Sequence, residues 1–301
     1  MNNYTLKINP AQGQKIRTVF EKENAVFDTV QYSFWRAKTS GFQAVYYTSG
    51  KLLVQGKETE RIAAEINAAL GIEREKPENA KSSLIDTNGE KYIGTDESGK
   101  GDFFGPLIAA GVQSDEALNK KFADLGIKDS KKMKDSEILK AANFIKANAV
   151  HSVIVIMPEK YNELYKKFNN LNKILAWAHA RAIENILEKS PCRYALADKF
   201  GDESLIENAL MKNGRNIILK QCVRAEADTA CAAASVLARA EFVKRMQELS
   251  KRYEINFSKG VSDAVEEQAK EFIKRYSADR LNEIAKLHFK TAEKVIGACS
   301  R

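Results

Sequence analysis

The sequence predicts an α/β protein of two domains: a small α+β unit over residues 1–72 and a larger domain with a mixed central sheet over 92–301, joined by a linker at 73–91. Three observations carry this. From Tyr92 onward strand-like and helix-like patterns alternate, whereas the first 70 residues hold one strand, a helix, several strands and another helix. Between them, EREKPENAKSSLIDTNGEK is charged and almost free of apolar side chains, and contains Pro77 and the turn pair Asn88-Gly89. At 301 residues there is length enough for two cores.

In the first unit, YTLKI at 4–8 alternates as a strand, and Pro10 opens a helix that puts Ile16, Val19 and Phe20 on one face. From Val30 to Gln55 aromatic and β-branched residues predominate, interrupted by Gly41 and by Ser49-Gly50, which reads as antiparallel strands joined by turns. Thr59 is a candidate cap for a helix carrying Ile62, Ile66 and Leu70, and Gly71 supplies its left-handed stop. Beyond the linker the pattern gives strands at YIGTD and FGPLIAAGVQ, a helix near 135–148, the strand VHSVIVIMP and one long helix over 161–189. The strands RYALAD and IILKQCV follow, and then mainly helix to a last segment ending near Ile296.

Lys and Arg outnumber Asp and Glu by 48 to 40, which favours a polyanionic partner. The surplus is uneven: residues 1–90 carry 12 basic and 11 acidic side chains, the remainder 36 and 29. The N-terminus lacks the apolar core of a signal peptide, and the longest aliphatic run, VIVIM, is too short to span a bilayer, so a soluble cytoplasmic protein is expected. Cys192, Cys222, Cys231 and Cys299 form no C-x-x-C pair and read as buried free thiols rather than zinc ligands.

The stretch GTDESGKGDFFGP at 94–106 satisfies G-x-x-x-x-G-K, yet Gly101 stands where a phosphate-binding loop needs Ser or Thr for magnesium. Asp96 and Glu97 would set like charges against phosphate oxygens, and Pro106 points to a second strand rather than a helix. No nucleotide triphosphate is expected here. Hard oxygen donors such as Asp96 and Glu97 suit Mg²⁺ or Mn²⁺ instead. Consecutive strand residues face opposite ways, so both reach one ion only if the strand ends here, as Ser98-Gly99 suggests. Asp198 closes the strand YALAD, where open α/β sheets place their sites, and Asp228 sits in the small-residue helix AEADTACAAASVLAR. Taken singly, Asp198 reads equally as a turn residue and Asp228 as a first-turn helix acid.

DESGKGDFFGP, KDSKKM at 128–133, YNELYKKFNNLNKILAWAHARAI at 161–183, ALADKFG at 195–201 and AEADTACAAASVLAR at 225–239 resemble, in this order, the type 2 ribonucleases H. Gly99-Lys100-Gly101 and the added N-terminal domain are similar to the ribonuclease HIII branch; FWRAKTSGFQAVYYTSGKLLVQG resembles its substrate-binding domain, of a fold like the TATA-box-binding protein. The resemblance implies a ribonuclease H-like catalytic domain with C-terminal helices in which Asp96, Glu97, Asp198 and Asp228 ligate two divalent ions, Mg²⁺ or Mn²⁺. Glu226 is the alternative to Asp228, and Asp102 is an acid that shapes the loop.

The implied activity is endonucleolytic cleavage of the RNA strand of RNA–DNA hybrids to 5′-phosphate and 3′-hydroxyl ends, by a monomer. The alternatives are incision at single ribonucleotides in duplex DNA, as in ribonuclease HII, and non-catalytic hybrid binding. Gly99 and Gly101 would let backbone approach a ribose 2′-hydroxyl, with Lys100 on a phosphate. Lys128, Ser130, Lys131 and Lys132 are candidates to track the nucleic-acid backbone. In the N-terminal unit Phe34, Arg36 and Lys38 share one strand face and form a candidate duplex grip, with Tyr46, Lys51 and Gln55 on neighbouring strands.

Overall fold

The computed structural model describes residues 3–71, 84–127 and 133–299. The chain divides into two units, Met1–Lys81 and Ser82–Arg301.

In the first unit the strands β1 (Asn3–Lys7), β2 (Val26–Asp28), β3 (Ser33–Lys38), β4 (Phe42–Tyr47) and β5 (Lys51–Gly56) form one sheet in the order β1-β5-β4-β3-β2. Every pairing in it is antiparallel. Helices α1 (Pro10–Lys22) and α2 (Thr59–Leu70) supply Ile16, Phe20, Ile62 and Ile66 to a core with Trp35, Ala37, Leu52 and Val54. Asn9 and Gln12 close a reciprocal cap at the start of α1, with Pro10 in the first turn. Gly71 ends α2 at φ 66°, the left-handed stop the sequence predicts. Thr59 is not the cap: that position is Glu58, and the Thr59 hydroxyl donates back to the Gly56 carbonyl.

The second unit is built on a mixed five-stranded sheet. It comprises β6 (Tyr92–Ser98), β7 (Leu107–Ser114), β8 (His151–Ile156), β9 (Tyr194–Asp198) and β10 (Ile218–Cys222), in the order β10-β9-β6-β7-β8. β6 runs parallel to β9 and antiparallel to β7. Leu84 and Ile85 pack against Tyr92 and Tyr194, so the end of the charged stretch joins this core.

Around the sheet lie α3 (Glu116–Asp124), α4 (Asp135–Asn148), α5 (Pro158–Phe168), α6 (Leu171–Leu187), α7 (Ser204–Ala209), α8 (Thr229–Tyr253), α9 (Asp263–Tyr276) and α10 (Lys290–Cys299). The single helix expected over 161–189 is two: Asn169 turns left-handed at φ 46° to end α5, and the Asn170 side chain caps α6 by accepting from the Asn172 amide. Two adjacent asparagines, each suited to one side of a break, override a continuous apolar period. Of the four thiols expected to be buried, Cys231 is; Cys192 and Cys222 are half-buried and Cys299 is exposed on α10.

A buried carboxylate fixes the turn that leads into β10. Glu184 of α6 accepts from the backbone amides of Met211 at 2.6 Å, Gly214 at 2.8 Å and Asn213 at 3.2 Å. Glu184→Ala strands these donors, at about 1–3 kcal/mol for each one left buried. Thermal unfolding should therefore show a clearly lowered Tm for this variant.

Candidate active site

The register of β6 decides which side chains meet. Tyr92 pairs with Tyr194 and Thr95 with Ala197 in parallel, so Asp96 and Asp198 stand side by side one residue further on. Strand alternation puts Tyr92, Gly94 and Asp96 on the face covered by the start of α8, together with Tyr194, Leu196 and Asp198. Ile93, Thr95 and Glu97 face α6. Helix and strand touch at Gly94: a Cβ there would lie 2.4 Å from both the Ala230 carbonyl carbon and the Cys231 nitrogen. Asp228, the N-cap of α8, is thereby brought down onto β6, where the Tyr92 hydroxyl donates to its carboxylate at 2.9 Å.

Each aspartate has found protein donors. Asp228 also accepts from the Ala230 and Cys231 amides, and Tyr92 is held in turn by the Asn119 side chain. Burial raises the Asp228 carboxyl above its usual value against these bonds. Asp198 accepts from the Ala225 amide at 3.0 Å. Asp96 accepts from the Glu97 amide and is held by Ser235, yet burial and the like charge of Glu97 push it up to about 7. For the buried Cys231, burial first, then the charges of Asp228, Asp96 and Asp198, hold the thiol well above the ordinary range. Glu226, the alternative to Asp228, lies in the single 3₁₀ turn before the helix.

Glu97 is placed differently. The strand runs through Asp96 and Glu97 to Ser98, and Glu97 opposes Ala109. Its Oε2 lies 3.3 Å from Nε2 of the fully buried His179, whose Nδ1 meets the Thr95 hydroxyl at 2.9 Å. Lys100 approaches Glu97 Oε1 at 3.7 Å. Burial would raise the Glu97 carboxyl, but His179 and Lys100 outweigh it and hold it below its usual value.

The two glycines of the turn differ. Gly99 has φ 88°, and a Cβ on it would strike the Pro106 carbonyl oxygen at 2.2 Å, so the protein itself demands glycine there. A Cβ on Gly101 meets nothing within 4 Å. Lys100 stands over the Phe200 ring at 5.6 Å. Asp102 accepts from the Gly260 amide at 2.6 Å and so ties the turn to a distant segment. Lys128, Ser130, Lys131 and Lys132 lie outside the described residues.

In the first unit Trp35 and Ala37 of β3 lie in the core and Arg36 and Lys38 outward; the register shifts at Phe34, which is exposed but packs 4.9 Å from the ring of Tyr46 rather than continuing a simple alternation. Asp28 of the edge strand takes Arg36 in a two-pronged ion pair and stands 4.0 Å from Lys38, so this face offers less free positive charge than the sequence implied. Tyr46 belongs to the core.

Residues 93–292 match the family model described as Ribonuclease HII, and residues 3–80 match a domain of unknown function, DUF3378. A ribonuclease HIII of Protochlamydia amoebophila (strain UWE25) is 40% identical over 271 residues, covering 88% of this chain and 87% of that one. The chain belongs to the ribonuclease HIII family. A ribonuclease HIII of Chlamydia pneumoniae is 36% identical over 97% of both chains. The crystal structure of Bst-RNase HIII in complex with Mn²⁺ matches with a TM-score of 0.67 at 27% identity over both whole chains, and that of Aquifex aeolicus RNase H3 with 0.55 at 28% over 95% of this chain.

For a ribonuclease HIII-family chain the donor chemistry fits a hard divalent cation. All four acids offer oxygen, Asp96 is strained by its neighbour's charge, and the buried Glu97 Oε2 has no aligned hydrogen bond. The acids are not drawn together in advance: among the described residues no three His, Cys, Asp or Glu side chains are grouped to hold an ion. Asp96, Asp198 and Asp228 each accept from a nearby backbone amide instead. Two supporting residues escaped the sequence reading. Tyr92 was legible from the two-residue period it shares with Gly94 and Asp96. His179 was visible as a polar residue on the apolar stripe of LAWAHARAI.

Proposed function

We propose that the chain is a metal-dependent endoribonuclease that cleaves the RNA strand of RNA–DNA hybrids, leaving 5′-phosphate and 3′-hydroxyl ends. Asp96, Glu97, Asp198 and Asp228 would hold two divalent cations, Mg²⁺ or Mn²⁺. One observation carries the reading: Asp96 and Asp198, from remote segments, stand side by side where the parallel strands β6 and β9 end, with Asp228 on the same face but bonded to Tyr92 at the start of β6, and with Ala225, next to the alternative Glu226, bonded to Asp198. All four acids come from one chain, so the proposed site is complete in a monomer. Bound cations supply charge relief at the scissile phosphate and an activated water.

The chain's own groups do the rest. Tyr92 and Asn119 hold Asp228 in orientation, and His179 holds Glu97. The open side of Gly101 leaves backbone free to meet a ribose 2′-hydroxyl, and Lys100 is within the same turn for a phosphate. The outward face of β3, with Phe34, Arg36 and Lys38, is the proposed duplex grip of the first unit.

Cleavage mapping on an end-labelled hybrid and on a duplex containing one ribonucleotide, with Mg²⁺ or Mn²⁺, tests the assignment. A ladder of cuts along the hybrid is expected; strong preference for the single ribonucleotide would overturn the hybrid reading. Gly101→Ala should leave stability within about 0.5 kcal/mol, because the added methyl enters open space. Hybrid cleavage should nevertheless fall, since that methyl occupies the approach to the sugar. Denaturation and cleavage rates measured side by side check both halves.

A further inference from the structure

Lys286 is a fully buried lysine that, among the described residues, has no carboxylate within bonding distance. Its ammonium donates to the backbone carbonyls of Asp102 at 2.7 Å, Gly105 at 2.7 Å and Phe104 at 3.3 Å, one acceptor for each proton. The Tyr161 ring lies 5.9 Å away, and burial pulls the group down to about 7. The strand-like contact around it is short: the Lys286 amide donates to the Phe103 carbonyl, the Gly105 amide donates to the Ile284 carbonyl, and Phe104 bridges Ala285. Asn162 of α5 grips the same segment from behind, donating to the Ala285 carbonyl and accepting from the Leu287 amide, both at 2.9 Å.

These bonds converge on one end of the glycine-rich turn. The turn leaves β6 at Ser98 and closes where the Asp102 amide donates to the Gly99 carbonyl at 3.3 Å. Lys100 and Gly101 therefore hang between the fixed end of a central strand and the 102–105 segment that Lys286 clamps. A buried ammonium is a costly way to hold a loop. Its three donors fix three carbonyls in direction as well as distance, which an apolar side chain cannot do.

We propose that Lys286 is a positioning residue for the reaction: it fixes the backbone of residues 102–105 so that the Gly99–Gly101 turn meets the sugar-phosphate of the substrate in one geometry. The proposal rests on the hybrid-cleaving reading given above. It is tested in the full chain with Lys286→Met, an unbranched side chain one atom shorter that removes the donors, and Lys286→Gln, whose amide restores some of them. Cleavage of an end-labelled RNA–DNA hybrid with Mn²⁺ gives kcat and KM; hydrogen exchange without substrate reports the turn itself.

Lys286→Met should lose about 100-fold in kcat with KM little changed, as displacement of a positioning loop does, and Lys286→Gln should fall between it and the unaltered chain. Amide exchange should quicken at 99–105 and at Gly260, leaving the sheet protected. Unaltered kcat or unaltered exchange at 99–105 in Lys286→Met overturns the proposal, as does exchange that rises throughout the unit together with the loss of rate. If Lys286→Met does not fold, Lys286→Gln decides by the same readouts. Should the unaltered chain cleave no hybrid, the functional reading fails, while the exchange comparison still judges whether Lys286 fixes the turn.

Discussion

Asp96→Asn is expected to abolish hybrid cleavage while making the metal-free protein more stable. The activity loss follows from removing a ligand and should exceed the roughly 100-fold that even an outer partner of a metal site can cost. The stability gain follows from the same carboxylate: in the folded chain it is pushed from 3.8 to about 7 by burial and by Glu97. A carboxyl raised on folding binds its proton more tightly in the native state. It therefore opposes folding as pH rises above about 4, where the unfolded chain ionises, and the penalty stops growing near 7. Asparagine keeps the shape without the charge. Metal-free thermal melts from pH 4 to 8 should show the native protein losing stability over this window and Asp96→Asn losing much less. Added Mn²⁺ should stabilise the native protein and have little effect on the variant. Retained cleavage, or a variant that melts lower than the native protein at pH 7, would remove Asp96 from the centre of the site.

Much of this arrangement was legible in the sequence because it depends on short periods and on residues with few uses. A two-residue period gave β6 and β9, and the position of Asp198 at its strand end follows from YALAD stopping at a polar residue. The helix ends at Gly71 and the outward face of β3 were legible for the same local reasons. The split between α5 and α6 was missed because apolar spacing continues across Asn169-Asn170, and only cap geometry reveals the break. The pairing of Arg36 with Asp28 was hidden because β2 is three residues long and carries no alternation of its own. Nor does spacing tell which face of the sheet each acid meets: Glu97 lies across β6 from Asp96, with His179 as partner, and that depends on α6 and α8 covering opposite faces.

Gly94→Ala tests whether the approach of α8 to β6 builds the site. As the first glycine of a phosphate-loop pattern, Gly94 invited a reading through ligand contact; in the fold its absent side chain is filled by the first turn of a helix. A methyl there would sit 2.4 Å from the Ala230 carbonyl carbon and the Cys231 nitrogen, backbone atoms that cannot rotate away. Either α8 lifts or β6 bends. Overpacking of this kind costs about 1–3 kcal/mol, which in a domain of this size lowers Tm by about 2–4 °C for each kcal/mol. The functional loss should be larger than the stability loss predicts. Lifting α8 carries Asp228 away from the Tyr92 hydroxyl and Ser235 away from Asp96, and sub-ångström errors in such constellations are expensive. Gly101→Ala is the matched control, since it adds the same methyl to the same motif where nothing crowds it. Gly94→Ala should lower both Tm and Mn²⁺ affinity, and Gly101→Ala neither. If Gly94→Ala binds Mn²⁺ as tightly as the native chain, Asp228 does not depend on this contact for its place in the site.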